Sequence, residues 1–349
     1  MRADGRRWGV LAAVVLLVLS AASSARSGVS VRERICEAAQ REGTLHILMH
    51  LQEVAEDLEK ALKRKFPWLS IRTVADIAAP TRAVAEAQAG RHDHDLFYWS
   101  IPGVLPLYER RLLASFSEEE TRAFDIPGSG RLLGGAALSV ASVVHALVYD
   151  SRRIRAEEVP RKWEDLLQER WRGRLVSEIT AVTNGIAALG LLFGEAWAFD
   201  FTRRLRDEAR ITLVPSPEIA RRMVLFGEKD LHWTVLGTII QRRERLQEPW
   251  GWAPVSPTFA GRFVIAMFAR APHPNAARCA ALWLASREGK AALEEVSYSF
   301  GDATPGSPTR VRKEIDRMRI RVFLENVEVA RRRLELYGRL VPVLTGQVR

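Results

Sequence analysis

Two long β-prone runs, residues 136–149 and 262–268, stand on either side of a stretch that itself alternates short apolar segments with helical patterns. No other feature constrains the fold as much. A chain that leaves one α/β region along an extended crossing and returns along a second has a discontinuous first lobe with another lobe inserted in it. That arrangement leaves a cleft between the lobes.

The flanking segments fill in both regions. Helical patterns over 31–41, 52–65 and 81–89 alternate with strands over 45–49, 69–74 and 95–98. Gly43 and Pro67 close the first two helices. Residues 100–103 read as a turn before a helix over 105–111. Between the crossings come a helical turn at 163–167, a strand at 173–179 and one long helix at 183–206. A strand at 211–214, a helix at 217–226 and a strand at 231–236 complete that region. Beyond the second crossing lie a helix over 275–285 and a basic amphipathic helical tail over 310–340, with Ile315, Met318, Val322 and Phe323 as its packing face. In open α/β sheets the ligand crevice lies outside strand ends such as those near Met49 and Tyr98.

The first residues read as a secretory signal: Arg2, Arg6 and Arg7, an apolar run over 9–22, then small residues over 20–25 with cleavage near Ala22 or Ala25. An uncleaved anchor is the alternative. Formal charge is +10, and a chain cut after Ala25 keeps +8, because the removed piece holds three Arg and one Asp. The basic residues are interspersed with acidic ones and carry no aromatic-rich motif, so solvated helix faces are preferred to a nucleic-acid partner. Cys36 and Cys279 exclude a cysteine zinc site, and two separate buried thiols are preferred to a disulfide, with Cys279 on an apolar helix face beside Leu282 and Trp283.

Five blocks in order carry a resemblance: EAAQREGTLHIL (37–48), AEAQAGRHDHDLFY (85–98), LVYDSRRI with VPRKWEDLLQERWRGRLV (147–154 and 159–176), FGEKDL (226–231) and APHPNAARCAALWLASREGKAAL (271–293). Together the chain resembles the iron(III)-type branch of the bacterial extracellular solute-binding proteins. The resemblance implies an α/β periplasmic-binding fold of type II, with two lobes, each a mixed sheet flanked by helices, joined by two extended crossings. It also implies an exported, periplasmic receptor that closes on a small ligand and delivers it to the permease subunits of an ABC importer. No cofactor, nucleic acid or membrane contact is expected, apart from contact through the importer or an uncleaved signal. The expected divisions are a signal at 1–25, a first lobe at 30–140 and 265–310, a second at 141–264 and a helical tail at 311–349. Read physically, Trp171 and Gly173 serve an apolar plug and a tight turn, Pro272 and Pro274 stiffen a helix start, and Asn275 is its N-cap.

The cleft loops supply the candidate ligand residues. His50, Gln52 and Glu53 follow the first strand; Trp99 and Ser100 follow the third. Thr180, Thr183 and Asn184 precede the long helix, where hydroxyls and free N–H groups can hold an anion. Trp233, Thr234 and Thr238 follow the FGEKDL turn, and His145 lies on the first crossing strand. His92 and His94, with Asp93 and Asp95, read as an exposed turn. Iron(III)-binding members carry adjacent tyrosines after the Gly-Glu-x-Asp turn. Here that stretch is Leu236, Gly237, Thr238 and Ile239, and none of the five tyrosines is adjacent to another. A small organic or oxyanion ligand, or a metal chelate, is therefore expected in place of bare iron(III). The chain has no nucleophile elbow, phosphate loop, HExxH or paired CxxC, so no enzyme is expected. An enzyme on the same fold and a membrane-anchored interaction module are the alternatives.

Overall fold

The computed structural model describes residues 30–50, 52–297 and 301–347. The segment read as a secretory signal lies outside the described residues. Helix α1 (Val31–Glu42) begins with a reciprocal cap between Ser30 and Glu33 and ends at Gly43, whose φ of 66° suits a residue without Cβ. Then β1 (Thr44–Met49), α2 (Gln52–Lys65), β2 (Ser70–Ala75), α3 (Ala79–Gln88), β3 (Leu96–Ser100) and α4 (Ile101–Glu109) follow in order. β1 pairs in parallel with β2 and β3; β1 and β3 are largely buried and read as apolar runs, whereas β2, at the sheet edge, is partly exposed and alternates. The turn predicted at 100–103 is absent. Pro102 sits in the first turn of α4, where its missing N–H costs nothing, and the helix starts directly after Ser100.

After α5 (Glu118–Ala123) and β4 (Arg131–Leu132), the long strand β5 (Ala137–Asp150) leads out. The next region contains β6 (Leu175–Glu178), α6 (Ile179–Phe193), α7 (Glu195–Asp207), β7 (Thr212–Val214), α8 (Pro217–Leu225), β8 (Leu231–Val235), α9 (Leu236–Leu246) and β9 (Trp250–Trp252). β10 (Thr258–Met267) then returns, followed by α10 (Pro274–Ala285), α11 (Arg287–Val296), α12 (Arg310–Arg317), β11 (Val322–Leu324) and α13 (Val327–Leu344). Strand order is β2-β1-β3-β10-β5-β8-β6-β7. The first half of β5 pairs with β10, and its second half pairs with β8 and β9. The two crossings are thus neighbouring antiparallel strands, and β5 links β10 on one side to β8 and β9 on the other.

Separate cores support the two halves. Leu45, Ile47, Leu62 and Trp283 belong to one, while Trp163, Trp233, Phe201 and Leu336 belong to the other. α13 spans the two halves: Ala330 is buried in a further cluster with the α4 residues Val104 and Leu107, and Leu340 and Leu344 are buried in the second core against α6 and α7.

Four further sequence expectations are corrected. Cys36 and Cys279 form a disulfide, because α1 and α10 pack side by side and bring their Cα atoms to 5.2 Å. The single helix expected over 183–206 is two, broken at Gly194, whose φ is 104°. The tail is not continuous. Arg319, at φ 55°, ends the run after α12, and the β-branched Val322 begins a short strand that pairs in parallel with β10. Asn275 is not the N-cap of α10: His273 occupies that position, and the Asn275 amide donates instead to Glu42. Among the described residues no helix is long and apolar enough to cross a membrane.

Candidate functional site

An open cavity of about 770 Å³ lies where the C-terminal ends of β3 and β6 face each other across β5 and β10. Its wall includes Trp99 and Ser100 from the first lobe, Glu178, Thr180, Asn184 and Val235 from the second, and His145 and Phe263 from the crossings. Arg333 and Leu334 of α13 also face it. Three helices start at this wall: α4 after Ser100, α6 after Glu178 and α9 after Val235. None of the three has a side chain bonded to its first N–H groups, so their positive ends are open towards the cavity.

On the first-lobe side the Trp99 indole lies over the start of α4. Gly103 makes room, since a Cβ there would stand 2.0 Å from Trp99 Cδ1. His50 packs behind this wall, stacked on Phe263 at 5.0 Å and edge-on to Trp99 at 5.2 Å. Burial pushes its imidazole down to about 4.

Across the cavity, His145 is buried on β5 and its Nδ1 accepts from Trp233 Nε1 at 3.3 Å. A ring whose Nδ1 accepts carries its proton on Nε2, so His145 is a neutral donor. Burial, assisted by the nearby Arg333 charge, pushes it down to about 3. The unfolded ring takes a proton near the ordinary value of 6.5, so stability is complete above that pH and is lost as pH falls from 6.5 towards 3. Urea titrations over that range should show a slope of up to about 1.4 kcal/mol per pH unit from this group, and the His145→Gln protein should have a shallower slope than the parent.

Arg333 is held in place before any ligand arrives. Its Nε donates to Glu325 Oε1 at 2.9 Å, and its Nη1 donates to Asn184 Oδ1. Asn184 is oriented in turn by donating to the Thr180 carbonyl at 2.8 Å. Glu178 Oε2 accepts from His232 Nε2 at 3.1 Å, and burial holds the His232 ring below the ordinary histidine range. The wall therefore combines helix starts, the Arg333 guanidinium already paired with Glu325, and the Glu178 carboxylate.

The structure brings Trp99, Ser100, His145, Thr180 and Asn184 of the sequence-derived set onto one cavity. Thr180, Thr183 and Asn184 do not precede the helix, which starts at Ile179; they occupy its first two turns. Thr183 points inward, with its hydroxyl buried and unpartnered. Trp233 is a core residue stacked on Trp163 at 4.3 Å and reaches the site only through His145. Thr234 is buried on β8, and Thr238 lies in the first turn of α9. Gln52 is exposed and bonded along its own helix to Glu56, and the side chain of Glu53 lies outside the described residues. His92 and His94 do not form an exposed turn: His94 is buried against Glu86 of α3, and Asp95 is buried and bonded by His273 at the start of α10. Sequence reading missed Arg333 and Glu178. Arg333 was one basic residue among many on an amphipathic helix, and nothing local marks it.

Close packing behind the wall gives a further test. A Cβ on Gly185 would stand 2.6 Å from Trp233 Cζ2, and Trp233 is pinned by Trp163. Gly185→Ala is expected to destabilise by about 1–3 kcal/mol in urea denaturation.

Two α/β lobes joined by paired strands, with a cavity of mixed polar and apolar lining between them, define a two-lobed solute receptor. The chain belongs to the bacterial extracellular solute-binding proteins: the profile of that family matches residues 134–317, more than half of the chain. Its members are the substrate-binding components of ABC importers. Solved structures agree in fold. Iron-bound HitA from Pseudomonas aeruginosa superposes with TM-score 0.66 at 18% identity, over 85% of this chain and 99% of that one. AfuA from Actinobacillus pleuropneumoniae, with fructose-6-phosphate bound, gives 0.64 at 16% identity, over 87% and 99%. The Trichodesmium IdiA (FutA) protein in complex with iron and citrate gives 0.65 at 15% identity, over 87% and 99%. No curated protein matches the chain at the sequence level.

Proposed function

We propose that this chain captures a small organic anion bearing hydroxyl or amine donors, and releases it unchanged to an importer. The observation that carries the reading is the convergence of three uncapped helix starts and Arg333 on one cavity. N–H groups and the guanidinium suit a phosphate, phosphonate or carboxylate. Glu178 and the Asn184 and Thr180 side chains suit the donors on the rest of such a molecule, and Trp99 and Phe263 its apolar face. No tyrosine lines this cavity among the described residues, and burial pushes the Tyr98 phenol well above its ordinary range. Bare iron(III) therefore lacks its hard phenolate donors here. The sugar phosphate in AfuA and the citrate beside iron in IdiA are ligands of the proposed kind.

On this reading the protein works in the periplasm after cleavage near Ala22 or Ala25, and a Cys36–Cys279 disulfide suits that oxidising compartment. The closing bodies are residues 30–140 with 265–310, and residues 141–264. Ligand contacts from both are complete only when the lobes close. Thermal-shift screening of the ligand-free protein against sugar phosphates, phosphonates and hydroxycarboxylates tests the ligand class. A ligand at about 100 times its Kd should stabilise the fold by about 2.7 kcal/mol. Stabilisation by iron(III) alone, with none by any organic anion, would contradict it.

A further inference from the structure

Four of the seven histidines, His46, His92, His94 and His273, gather at the opposite end of the first lobe, where β1 and β3 begin. His46 lies at the level of Asp95, one position before the Ile47–Leu96 pairing, whereas Trp99 and Ser100 at the other end of β3 line the cleft. Four residues of strand, about 13 Å, separate the two levels. Here His46, Asp95 and His273 converge, with one imidazole nitrogen from each ring and one carboxylate oxygen all within 4.8 Å of one another.

The hydrogen bonds fix which nitrogens are free. His46 Nδ1 faces the Asp93 carbonyl at 3.1 Å, and a carbonyl can only accept, so this nitrogen carries the proton. His273 Nδ1 faces Asp95 Oδ2 at 3.0 Å. Asp95 is itself held by the His46 N–H at 2.7 Å and the His273 N–H at 2.6 Å. With both Nδ1 atoms donating, both Nε2 lone pairs are left for a ligand. Carboxylate or carbonyl on Nδ1 and metal on Nε2 is the usual support of a metal-bound imidazole. Ring spacing agrees. Two imidazoles on one tetrahedral zinc, with Zn–N of about 2.0 Å, have centroids about 5 Å apart; the His46 and His273 centroids are 5.2 Å apart at 77°.

We infer that His46 and His273 bind a borderline divalent cation such as zinc, nickel or copper(II) through Nε2, with Asp95 and the Asp93 carbonyl orienting the rings and water completing the coordination. The site is separate from the solute cleft. It joins β1 to the start of α10, and neither residue is fully buried, so a cation reaches it without unfolding.

The test is calorimetric titration of zinc chloride and nickel chloride into the untagged, chelator-treated protein. One equivalent should bind, and His46→Gln and His273→Gln should each weaken binding at least tenfold, whereas His145→Gln in the cleft should leave it unchanged. Copper(II) resonance spectra of the unmutated protein provide a readout that does not depend on the variants folding: superhyperfine splitting from two imidazole nitrogens is expected. Absence of one-equivalent binding, a copper spectrum without nitrogen ligands, or zinc binding indifferent to both substitutions would each overturn the inference.

Discussion

Replacing Arg333 with alanine is expected to lower stability by about 3–5 kcal/mol, the cost of stranding one member of a buried ion pair. Both partners are inside: Arg333 and Glu325 are 7% and 1% exposed. Glu325 also accepts the Arg262 N–H at 3.0 Å, so its carboxylate is fixed and cannot turn to water when the guanidinium is removed. The adjacent Phe259 ring, 5.5 Å from the guanidinium carbon, offers no substitute hydrogen bond. A double variant, Arg333→Met with Glu325→Gln, should recover much of the loss because no charge is then left unpaired. Arg333→Lys separates folding from recognition. It keeps the charge beside Glu325 but loses the planar fork that bonds Glu325 and Asn184 together, and it should weaken binding of an anionic ligand about tenfold or more. Equal stability of the alanine variant and the parent in urea would contradict the account of this pair.

The second large effect concerns the disulfide. Cys36 and Cys279 are 243 residues apart in sequence, and their bond ties α1 to α10 in the core of the first lobe. Closing so long a loop restricts the unfolded chain, and losing the bond should cost about 2–5 kcal/mol. Reductant applied to the unmutated protein and a Cys36→Ser, Cys279→Ser double variant should shift the denaturation midpoint alike. An unchanged midpoint on reduction would show that the pair does not form.

Most of the fold was legible because its signals are local. Gly43 closes a helix and Pro274 opens one, and central strands such as Leu96–Ser100, flanked by strands on both sides, read as apolar runs. The two crossings were visible because 14 consecutive residues of β5 are β-prone and almost all buried. What failed depended on distant partners. Cys36 and Cys279 each look like a core thiol on its own helix, and only the side-by-side packing of α1 and α10 joins them. The tail has a helical pattern throughout, yet Val322–Leu324 becomes a strand because β10 presents a free edge there. Of the residues lining the cavity, Ser100 and Asn184 were proposed from a strand end and a helix start, and His145 from its place on the first crossing strand. Glu178 was passed over because it fell inside the strand read at 173–179, whereas the strand ends at Glu178 and the helix starts directly after it. Arg333 lies 149 residues from its partner Asn184, and no spacing within the sequence encodes that meeting.

Central to the account is a cleft that closes on its solute. The most direct measurement is small-angle scattering of the mature protein, alone and saturated with a sugar phosphate, phosphonate or hydroxycarboxylate that stabilises it. A smaller radius of gyration with ligand, absent in Arg333→Lys at the same concentration, is the predicted result; an unchanged radius at proven saturation would contradict hinge closure around this cavity.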